Sequence, residues 1–388
     1  MLQFRITKIL FRFAAACLVL TLTSMATGVP AAEVKNLYST EIPVHGQEDV
    51  ERMDAIRRGI ETVIIKVSGR RDAIENTKVL SALVNPIRLV QQFRYFPLPQ
   101  EWQQMVDEQG QYYSQLLRIS YDSQAVNRIL REARLPVWGR ARPSTLIWLA
   151  VEEWNQRTIL GTDALPQLRE ILVRQASNRG IPVLFPLFDL EDQARLSFAD
   201  IWGDFQDTIL PASQRYQAGS VLVGRMYRQS MDEWQVRWTH YQDTEVFRWT
   251  SEGTQQEQAL IAGLNIAADQ FAERFAHIDE VEDDNRLAVL VHDVGTLNAY
   301  ARVKSYLESL DLAQDVLVEE VSANRVKFTV NLRGTVEAFK QAIKFGDTLA
   351  PDMLIETSRV GNSDIGNAAL TDETAATYRP VMSYRLLP

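Results

Sequence analysis

Acidic side chains between residues 189 and 200 are the first candidates for chemistry in this sequence. Asp189, Glu191 and Asp192 follow the apolar run 183–188, and Asp200 comes shortly after them. Ligands of parallel α/β sheets bind beyond the carboxyl ends of the strands, and the apolar run predicts such an end. Carboxylates placed together bind a divalent cation or act as general acid and base. The alternative is that they are turn and helix-capping residues, which are common at strand ends, and Ser197–Asp200 has the spacing of a capping box.

A glycine followed by two arginines forms a second candidate site. In the segment 68–72, Gly69 precedes Arg70 and Arg71, and the pair of guanidinium groups could bind a carboxylate or phosphate. The same residues are also what a helix C-terminus prefers, since glycine ends the helix and cations interact well with its negative end. We favour the capping interpretation and keep both arginines as candidate ligand-binding residues.

Tryptophans suggest a third possibility, a surface on which sugar rings stack. Trp202 is the candidate ligand-binding residue among them, because it follows Asp200 closely. Aromatic residues on paired strands more often pack against each other or in cores, and we favour that interpretation for most of them. The other tryptophans between residues 138 and 249 are Trp138, Trp148, Trp154, Trp234, Trp238 and Trp249.

Metal and cofactor motifs are missing from the sequence. The four histidines, at positions 45, 240, 277 and 292, are far apart and have no ligand spacing. The sequence also lacks the glycine-rich phosphate loops, the nucleophile elbow and the paired-histidine zinc motif. We therefore predict no metal site and no cofactor. Whether the chain is an enzyme stays open, and we lean towards a non-enzymatic protein.

The order of helices and strands predicted from the sequence indicates several modules of the α/β and α+β classes, which would position these residues. The middle module is expected to be a parallel-type mixed α/β domain, and the last to be a ferredoxin-like split βαβ unit. The predicted ranges are a signal peptide at 1–31, an N-terminal α/β module at 32–142, a middle α/β domain at 143–279, an acidic linker at 280–285, a ferredoxin-like βαββα module at 286–352 and a flexible tail at 353–388.

Hydrophobic periodicity predicts two helices in the first module. Asp49–Val67 has apolar residues at steps of three and four, and Gly69 follows as a C-cap. Thr77–Phe93 is predicted as a second helix that Pro86 kinks or splits. In the middle module, a buried strand, a helix and a second strand precede a strand and a hairpin. Their predicted ranges are Thr145–Val151, Leu165–Asn178, Val183–Phe185, Ser220–Met226, Trp234–Tyr241 and Glu245–Thr250.

The N-terminus has the features of a secretory signal peptide. Arg5, Lys8 and Arg12 precede the apolar run Phe13–Leu22, and Ala31 ends a plausible cleavage site. The run is shorter than the roughly 20 residues that span a bilayer. Cys17, the only cysteine, lies within this segment, so cleavage would leave a mature chain without thiols. That chain would have no disulfide, thiolate nucleophile or cysteine metal ligand, and would be located in the periplasm.

Charge and composition limit the partners. After removal of residues 1–31, the chain would have 38 Lys and Arg against 50 Asp and Glu, a net charge of −12. Such an acidic chain is poorly suited to binding nucleic acid or anionic lipid. The apolar fraction of 46% is sufficient for packed cores. No segment of the mature chain is apolar for long enough to predict a transmembrane helix.

Six short segments together resemble a known family. The segments are Val67–Ala73, Leu135–Gly139, Leu146–Val151, Phe185–Asp192, Asp200–Gly203 and Val221–Arg225. The family that they resemble is DUF2066, which consists of uncharacterised proteobacterial secreted or envelope proteins. The resemblance implies a signal peptide and an envelope location. It implies no activity, ligand or catalytic residue.

Three hypotheses about function follow from the sequence. The first is a non-enzymatic envelope binding or assembly factor that binds another envelope protein or the cell wall. The second is a metal-dependent or acid/base hydrolase that uses Asp189, Glu191, Asp192 or Asp200. The third is a periplasmic protein that binds a small ligand in a cleft between the first two modules. The oligomeric state is not indicated by the sequence.

Overall fold

The structure, a computed structural model, describes residues 32–103, 105–107, 109–154, 156–161, 164–276, 286–310, 312–332, 336–344, 346, 348–352 and 381–387. The predicted signal peptide, the acidic linker, His277 and most of the predicted tail lie outside the described residues. Within these ranges the chain is a mixed α/β protein with four sheets and ten α-helices. This confirms the predicted class at that level.

The N-terminal unit is a three-stranded antiparallel sheet with helices packed on one face. The sheet has the strand order β2-β4-β3, and α1 lies across it. A short pair of strands, β1 and β5, joins the start of the unit to its end. The elements are β1 (Ala32–Glu33), β2 (Ser39–Val44), α1 (Asp49–Ser68), α2 (Thr77–Ala82), β3 (Val90–Pro97), β4 (Gln115–Tyr121), α3 (Ser123–Glu132) and β5 (Ala141–Arg142).

Helix α1 confirms the first predicted helix and its end. Its residues Ile56, Ile60 and Val63 are fully buried against the sheet. Gly69 adopts a left-handed conformation with φ of 73°, and its N–H donates to the carbonyl of Ile65. A Cβ at this position would lie 2.2 Å from the Cβ of Ala272, so the close approach also requires glycine.

The second predicted helix, Thr77–Phe93, is wrong in its second half. Helix α2 ends at Ala82, a 3₁₀ turn covers Pro86–Leu89, and β3 begins at Val90. The proline is the first residue of the turn, where its missing N–H costs nothing, and it disfavours helix in the residue before it. The chain then pairs with β4, and Val90 and Tyr95 pack partly buried against the core of the unit.

The middle unit is built on a six-stranded mixed sheet. The strand order is β11-β10-β9-β6-β7, and β8 also pairs with β6. Strand β6 is parallel to β8 and β9, and the other pairs are antiparallel. The elements are β6 (Thr145–Glu153), β7 (Gln156–Ile159), α4 (Pro166–Arg179), β8 (Val183–Leu184), α5 (Leu190–Arg195), α6 (Phe198–Trp202), α7 (Gln206–Ser213), β9 (Ser220–Ser230), β10 (Glu233–Gln242), β11 (Glu245–Gly253) and α8 (Gln256–Phe275).

Both faces of this sheet carry packed side chains. Helices α4 and α8 cover one face, where Leu149, Met226 and Trp238 are buried. The short helices α5, α6 and α7 cover part of the other face, where Trp148 and Val223 are buried. Strand β6 is buried on both faces over most of its length, as its continuous apolar sequence predicts.

Arg142 joins the N-terminal and middle units. Its side chain is fully buried, and its guanidinium lies 3.8 Å from the ring centre of Trp138. It donates to the carbonyls of Lys66 at the end of α1 and of Gly180 just after α4, at 2.9 Å each. The carbonyls at helix ends have no partner within the helix, so a buried arginine satisfies groups of both units.

The C-terminal unit is a five-stranded sheet with the order β13-β14-β12-β16-β15. Strand β16 lies between β12 and β15, parallel to β12 and antiparallel to β15. The residues of β16 lie near the end of the predicted flexible tail at 353–388. The elements are β12 (Arg286–His292), α9 (Leu297–Ser309), β13 (Ala313–Ser322), β14 (Arg325–Leu332), α10 (Val336–Lys344), β15 (Leu349–Pro351) and β16 (Val381–Leu386).

None of the described helices combines the length with the apolar character that crossing a lipid bilayer requires.

Candidate functional site

Asp189 occupies the N-cap of α5. Its carboxylate accepts hydrogen bonds from the backbone N–H groups of Glu191 and Asp192, at 3.1 Å each. Arg215 also donates to both carboxylate oxygens, at 2.8 and 3.0 Å. The hydrogen bond from Arg215, supported by those from the backbone, lowers the pKa of Asp189 to about 2. The side chain is therefore a capping carboxylate held by an arginine.

Asp192 lies beside Asp189 and is completely buried. It accepts from Arg215 at 3.0 Å, from the N–H of Phe188 at 2.9 Å and from the hydroxyl of Tyr216. Burial, with the hydrogen bond to Asp192, raises the pKa of Tyr216 to about 12. Phe188 has a φ of 51°, so this carboxylate stabilises a turn that the backbone disfavours.

The other two acidic candidates have similar capping or pairing roles. Glu191 lies 3.1 Å from Arg195 and 3.6 Å from Arg215. Asp200 forms a capping box with Ser197 at the start of α6, as the sequence predicted from the spacing. Three of the four candidates thus meet at one arginine, and the fourth caps another helix. The described residues contain no group of three or more potential metal ligands.

Arg70 and Arg71 follow the C-cap of α1 and have different partners. Arg70 pairs with Asp72, two residues away and exposed, while Arg71 pairs with Asp269 of α8 at 2.7 Å. Asp269 also accepts from the buried Arg179 at 2.7 Å. The structure therefore places these arginines at the junction between α1 and α8, apart from the acidic cluster at Arg215.

A cleft of about 620 Å³ lies on the middle sheet, at the carboxyl ends of the parallel strands β6 and β9. It lies within the middle unit, whereas the sequence analysis expected a cleft between the first two units. Its size is in the usual range of small-molecule sites, about 300–1,000 Å³. Trp202, the candidate ligand-binding residue, lines it, and so does Trp154, another of the tryptophans considered for sugar stacking. The full lining is Glu152, Trp154, Trp202, Arg225, Tyr227, Arg228, Ser230, Met231 and Arg237.

Two of the cleft arginines face each other on neighbouring strands. Arg225 of β9 is directly opposite Arg237 of β10 in the antiparallel register. Like charges at directly opposite positions repel, which destabilises the pair unless an anion lies between them. Arg225 is 3.8 Å from Asp204, and its Nε is buried with no hydrogen-bond partner in the described part of the chain.

Asp204 neutralises only part of this positive charge. Its side chain is mostly buried and accepts from the hydroxyls of Thr239 and Tyr241, at 2.8 Å each. Arg237 is exposed, lies over the ring of Tyr227 at 5.3 Å and has no carboxylate partner among the residues that the structure describes. The lining has three guanidinium groups and one carboxylate, so the cleft is positive in an acidic chain.

Aromatic rings form the other component of the cleft. Trp202 stacks on Phe198 at 5.2 Å, and its ring meets Tyr227 edge to face at 6.0 Å. Trp154, at the turn between β6 and β7, is 70% exposed and has a φ of 47°. The guanidinium of Arg228 lies 5.2 Å from its ring centre.

The remaining tryptophans and histidines have structural surroundings. Trp138, Trp148 and Trp238 are buried in cores, which agrees with the favoured packing interpretation. His240 is also buried, and burial lowers its pKa to about 4. His45 pairs with Asp107 at 3.1 Å. These residues lie outside the lining of the cleft.

Sequence analysis missed the arginines of the cleft. Arg225 lies at the end of a predicted strand that is largely apolar, and Arg237 lies in the middle of another, in which polar and apolar residues alternate. The predicted hairpin joined Trp234–Tyr241 to Glu245–Thr250, whereas the two arginines lie opposite each other in the pairing of β9 with β10, which was not predicted. Trp202 was a candidate from the sequence, but its position in the cleft was not predictable, because it comes from a helix about 20 residues before Arg225 that folds over the sheet.

Comparison with known proteins gives one match. The family described as Domain of unknown function (DUF8605) matches residues 31–139, which is the N-terminal unit. Neither the curated proteins nor the solved structures contain a match to this chain. The cleft lies outside the matched range.

The family match corrects the resemblance to DUF2066, which is wrong. DUF8605 is a different family of unknown function. Four of the six segments that suggested the resemblance lie beyond residue 139, outside the matched range. They are short strands, turns and caps of the middle unit, for example Val221–Arg225 in β9 and the cap residues of α6. Such segments recur in unrelated folds because backbone geometry selects them.

Proposed function

We propose that this chain is a non-enzymatic envelope protein that binds a small, ring-bearing anion in the cleft between Trp154, Arg225 and Arg237. The observation that carries the proposal is the pair of opposed arginines, Arg225 and Arg237, in a cleft with exposed aromatic surface. A bound carboxylate or phosphate would accept hydrogen bonds from both guanidinium groups and remove their mutual repulsion.

The position and chemistry of the cleft support binding rather than catalysis. It lies at the carboxyl ends of two parallel strands, where α/β sheets commonly bind ligands. Its one lining carboxylate, Glu152, is paired with Arg157 at 3.0 Å. The four acidic residues that suggested a hydrolase have capping or ion-pairing partners elsewhere, so nothing favours that alternative over binding.

A charge-removing substitution tests the proposal. We expect wild-type protein to bind glucuronate and benzoate in isothermal titration calorimetry, and binding to weaken as salt is added. Arg237→Gln should weaken it about tenfold or more, because a charge-assisted hydrogen bond contributes about 1.5–3 kcal/mol. The matched control is Arg118→Gln, since Arg118 is also exposed, lies over Phe96 at 4.5 Å and is on the N-terminal unit.

The control variant, Arg118→Gln, should bind glucuronate and benzoate as tightly as the wild type does. If glucuronate, benzoate and inorganic phosphate all fail to bind the wild type, the proposal is overturned. Equal affinities of the wild type and Arg237→Gln would overturn it as well.

We also propose export to the periplasm, on the basis of the predicted signal peptide at residues 1–31. The supporting features are the basic start, the apolar run Phe13–Leu22 and the small residues before Ala32. Mass spectrometry of protein from the periplasmic fraction should give a mature N-terminus at Ala32. Protein with Met1 found only in the cytosol would contradict export.

We also propose a finer fold assignment for the middle and C-terminal units. We infer that residues 143–279 form a parallel-type α/β domain, supported by the pairing of β6 with β8 and β9. We infer that residues 286–352 form a variant of a ferredoxin-like unit, supported by the order β12-α9-β13-β14-α10 and by the central position of β12 and β14. The variant feature is β16, a strand parallel to β12.

A further inference from the structure

We infer that the ligand of the cleft is a pyranose saccharide carrying a carboxylate or phosphate group, and that Trp154 is the platform for its ring. This inference rests on the proposed anion-binding function and specifies its ligand. Its central observation is a tryptophan held at the rim of the cleft in a conformation and an exposure that are both unfavourable.

Trp154 has an unfavourable backbone conformation and an unfavourable exposure. A φ of 47° is in the left-handed region, which bulky side chains rarely adopt. Its side chain is 70% exposed, although tryptophan is among the residues that gain most from burial. Backbone strain of this kind is concentrated at ligand-binding sites. A ligand ring stacked on the indole would bury the surface that folding leaves exposed.

Arg228 holds the indole and adds positive charge beside it. Its Nε donates to the carbonyls of Ser230 and Met231, at 3.2 and 3.1 Å, so the side chain is fixed along the turn between β9 and β10. Its guanidinium lies 5.2 Å from the ring of Trp154, a cation–π distance. The platform and a cation are thus adjacent, as an acidic sugar would require.

The remaining lining matches hydroxyl groups better than a flat aromatic ligand. Glu152 is a half-buried carboxylate that can accept from sugar hydroxyls. Trp202 and Tyr227 pack edge to face, with planes 68° apart, so they form no slot for a planar ring. A pyranose has an apolar face for Trp154, hydroxyls for Glu152 and an acidic group for Arg225 and Arg237.

The test compares ligands that differ in one feature. Full-length mature protein is titrated calorimetrically, to millimolar concentrations, with glucuronate, glucose 1-phosphate, glucose, benzoate and inorganic phosphate. We expect the affinities of glucuronate and glucose 1-phosphate to be at least about tenfold higher than those of benzoate, inorganic phosphate and glucose. The relative affinities of glucuronate and glucose 1-phosphate identify which anionic group the cleft prefers.

The outcomes separate this inference from the proposed function. Equal or tighter binding of benzoate or inorganic phosphate would overturn the saccharide assignment and leave the anion site intact. Glucose binding as tightly as glucuronate would overturn both proposals. Absence of binding by every anion would also overturn both.

Variants at Trp154 test the platform itself. We expect Trp154→Gly to weaken glucuronate binding about tenfold and to keep or raise the melting temperature, since glycine adopts the left-handed conformation without strain. Trp154→Phe should retain part of the affinity. Tyr112→Ala removes an equally exposed aromatic ring from the N-terminal unit and should leave binding unchanged. A fall in melting temperature with unchanged affinity in Trp154→Gly would overturn the inference.

Discussion

At the scale of single residues, the charged side chains of the middle unit have two different roles. Asp189, Asp192 and Asp200 have backbone N–H groups or cations as partners, so their carboxylates stabilise turns and short helices. Arg225 and Arg237 have incomplete partners and face a cleft. The capping carboxylates therefore have hydrogen-bond partners within the fold, whereas the arginines of the cleft retain donor groups that a ligand can use.

His240 provides a prediction about pH at this scale. It is buried on β10 against Phe271, and neither ring nitrogen has a hydrogen-bond partner among the described residues. Burial lowers its pKa from 6.5 to about 4, so the folded protein binds a proton less readily than the unfolded chain does. Stability is consequently lost as the pH falls from about 6.5 to about 4, by roughly 3 kcal/mol from this residue.

Urea denaturation at about pH 4.5 and 7.5 measures this effect. We expect His240→Leu to lose less stability between the two pH values than the wild type does. Val236→Ala, at another buried position of β10, should lower stability by the same amount at both. An identical pH dependence in His240→Leu and the wild type would contradict the prediction.

At the scale of elements, close contacts fix how helices lie on the middle sheet. Helix α8 crosses the sheet at Gly263, whose missing side chain leaves room for the indole of Trp238. Trp238 donates to Ser251, and Ser251 donates to the carbonyl of Ala259 in α8. The indole thus connects β10, β11 and the helix, and the glycine sets their separation.

Gly263→Ala should destabilise the protein although alanine favours helix. At an unhindered position the change would gain up to about 1 kcal/mol from helix propensity. Here the new Cβ would lie 1.9 Å from the indole nitrogen of Trp238, so we expect a net loss of about 1–3 kcal/mol through overpacking. Glu273→Ala, at an exposed position of α8, should stay within about 0.5 kcal/mol of the wild type in thermal denaturation. A stabilised Gly263→Ala would refute this contact.

Elements with local signals were predictable, and contacts between distant segments were not. The apolar steps of α1, the glycine after it and the Ser197–Asp200 box follow from local backbone chemistry, and the structure confirms all three. The strand Val90–Pro97 was missed because its pairing partner, β4, comes later in the chain. The cleft was missed for a related reason, since β6, α6, β9 and β10 each supply part of it.

At the scale of the whole molecule, buried arginines connect units that have separate cores. Arg142 donates to the carbonyls of Lys66 in α1, of Trp138 and of Gly180 after α4. Arg179 donates to the carbonyl of Gly69 at 2.8 Å and to Asp269 of α8. The planar guanidinium can contact several carbonyls at once, which a lysine ammonium cannot reproduce with the same geometry.

Arg142→Lys should destabilise the N-terminal and middle units together. Several buried carbonyls would lose their donor, and we expect a loss of about 3 kcal/mol. Urea denaturation, followed by far-ultraviolet circular dichroism and tryptophan fluorescence, measures this change. Arg70→Lys, at an exposed position paired with Asp72, should change stability by less than about 0.5 kcal/mol. Equal stabilities of Arg142→Lys and Arg70→Lys would show that the guanidinium group of Arg142 is not needed for stability.

The placement of β16 makes the C-terminal sheet dependent on a strand that follows all its other strands in the sequence. Translation delivers residues 381–386 after everything else that the sheet contains, yet they pair with β12 on one side and β15 on the other. Until they arrive, both neighbours have an unpaired edge that another nascent chain can occupy. A premature stop codon after residue 352 would make this transient exposure permanent, so the truncated product should aggregate by strand pairing between molecules.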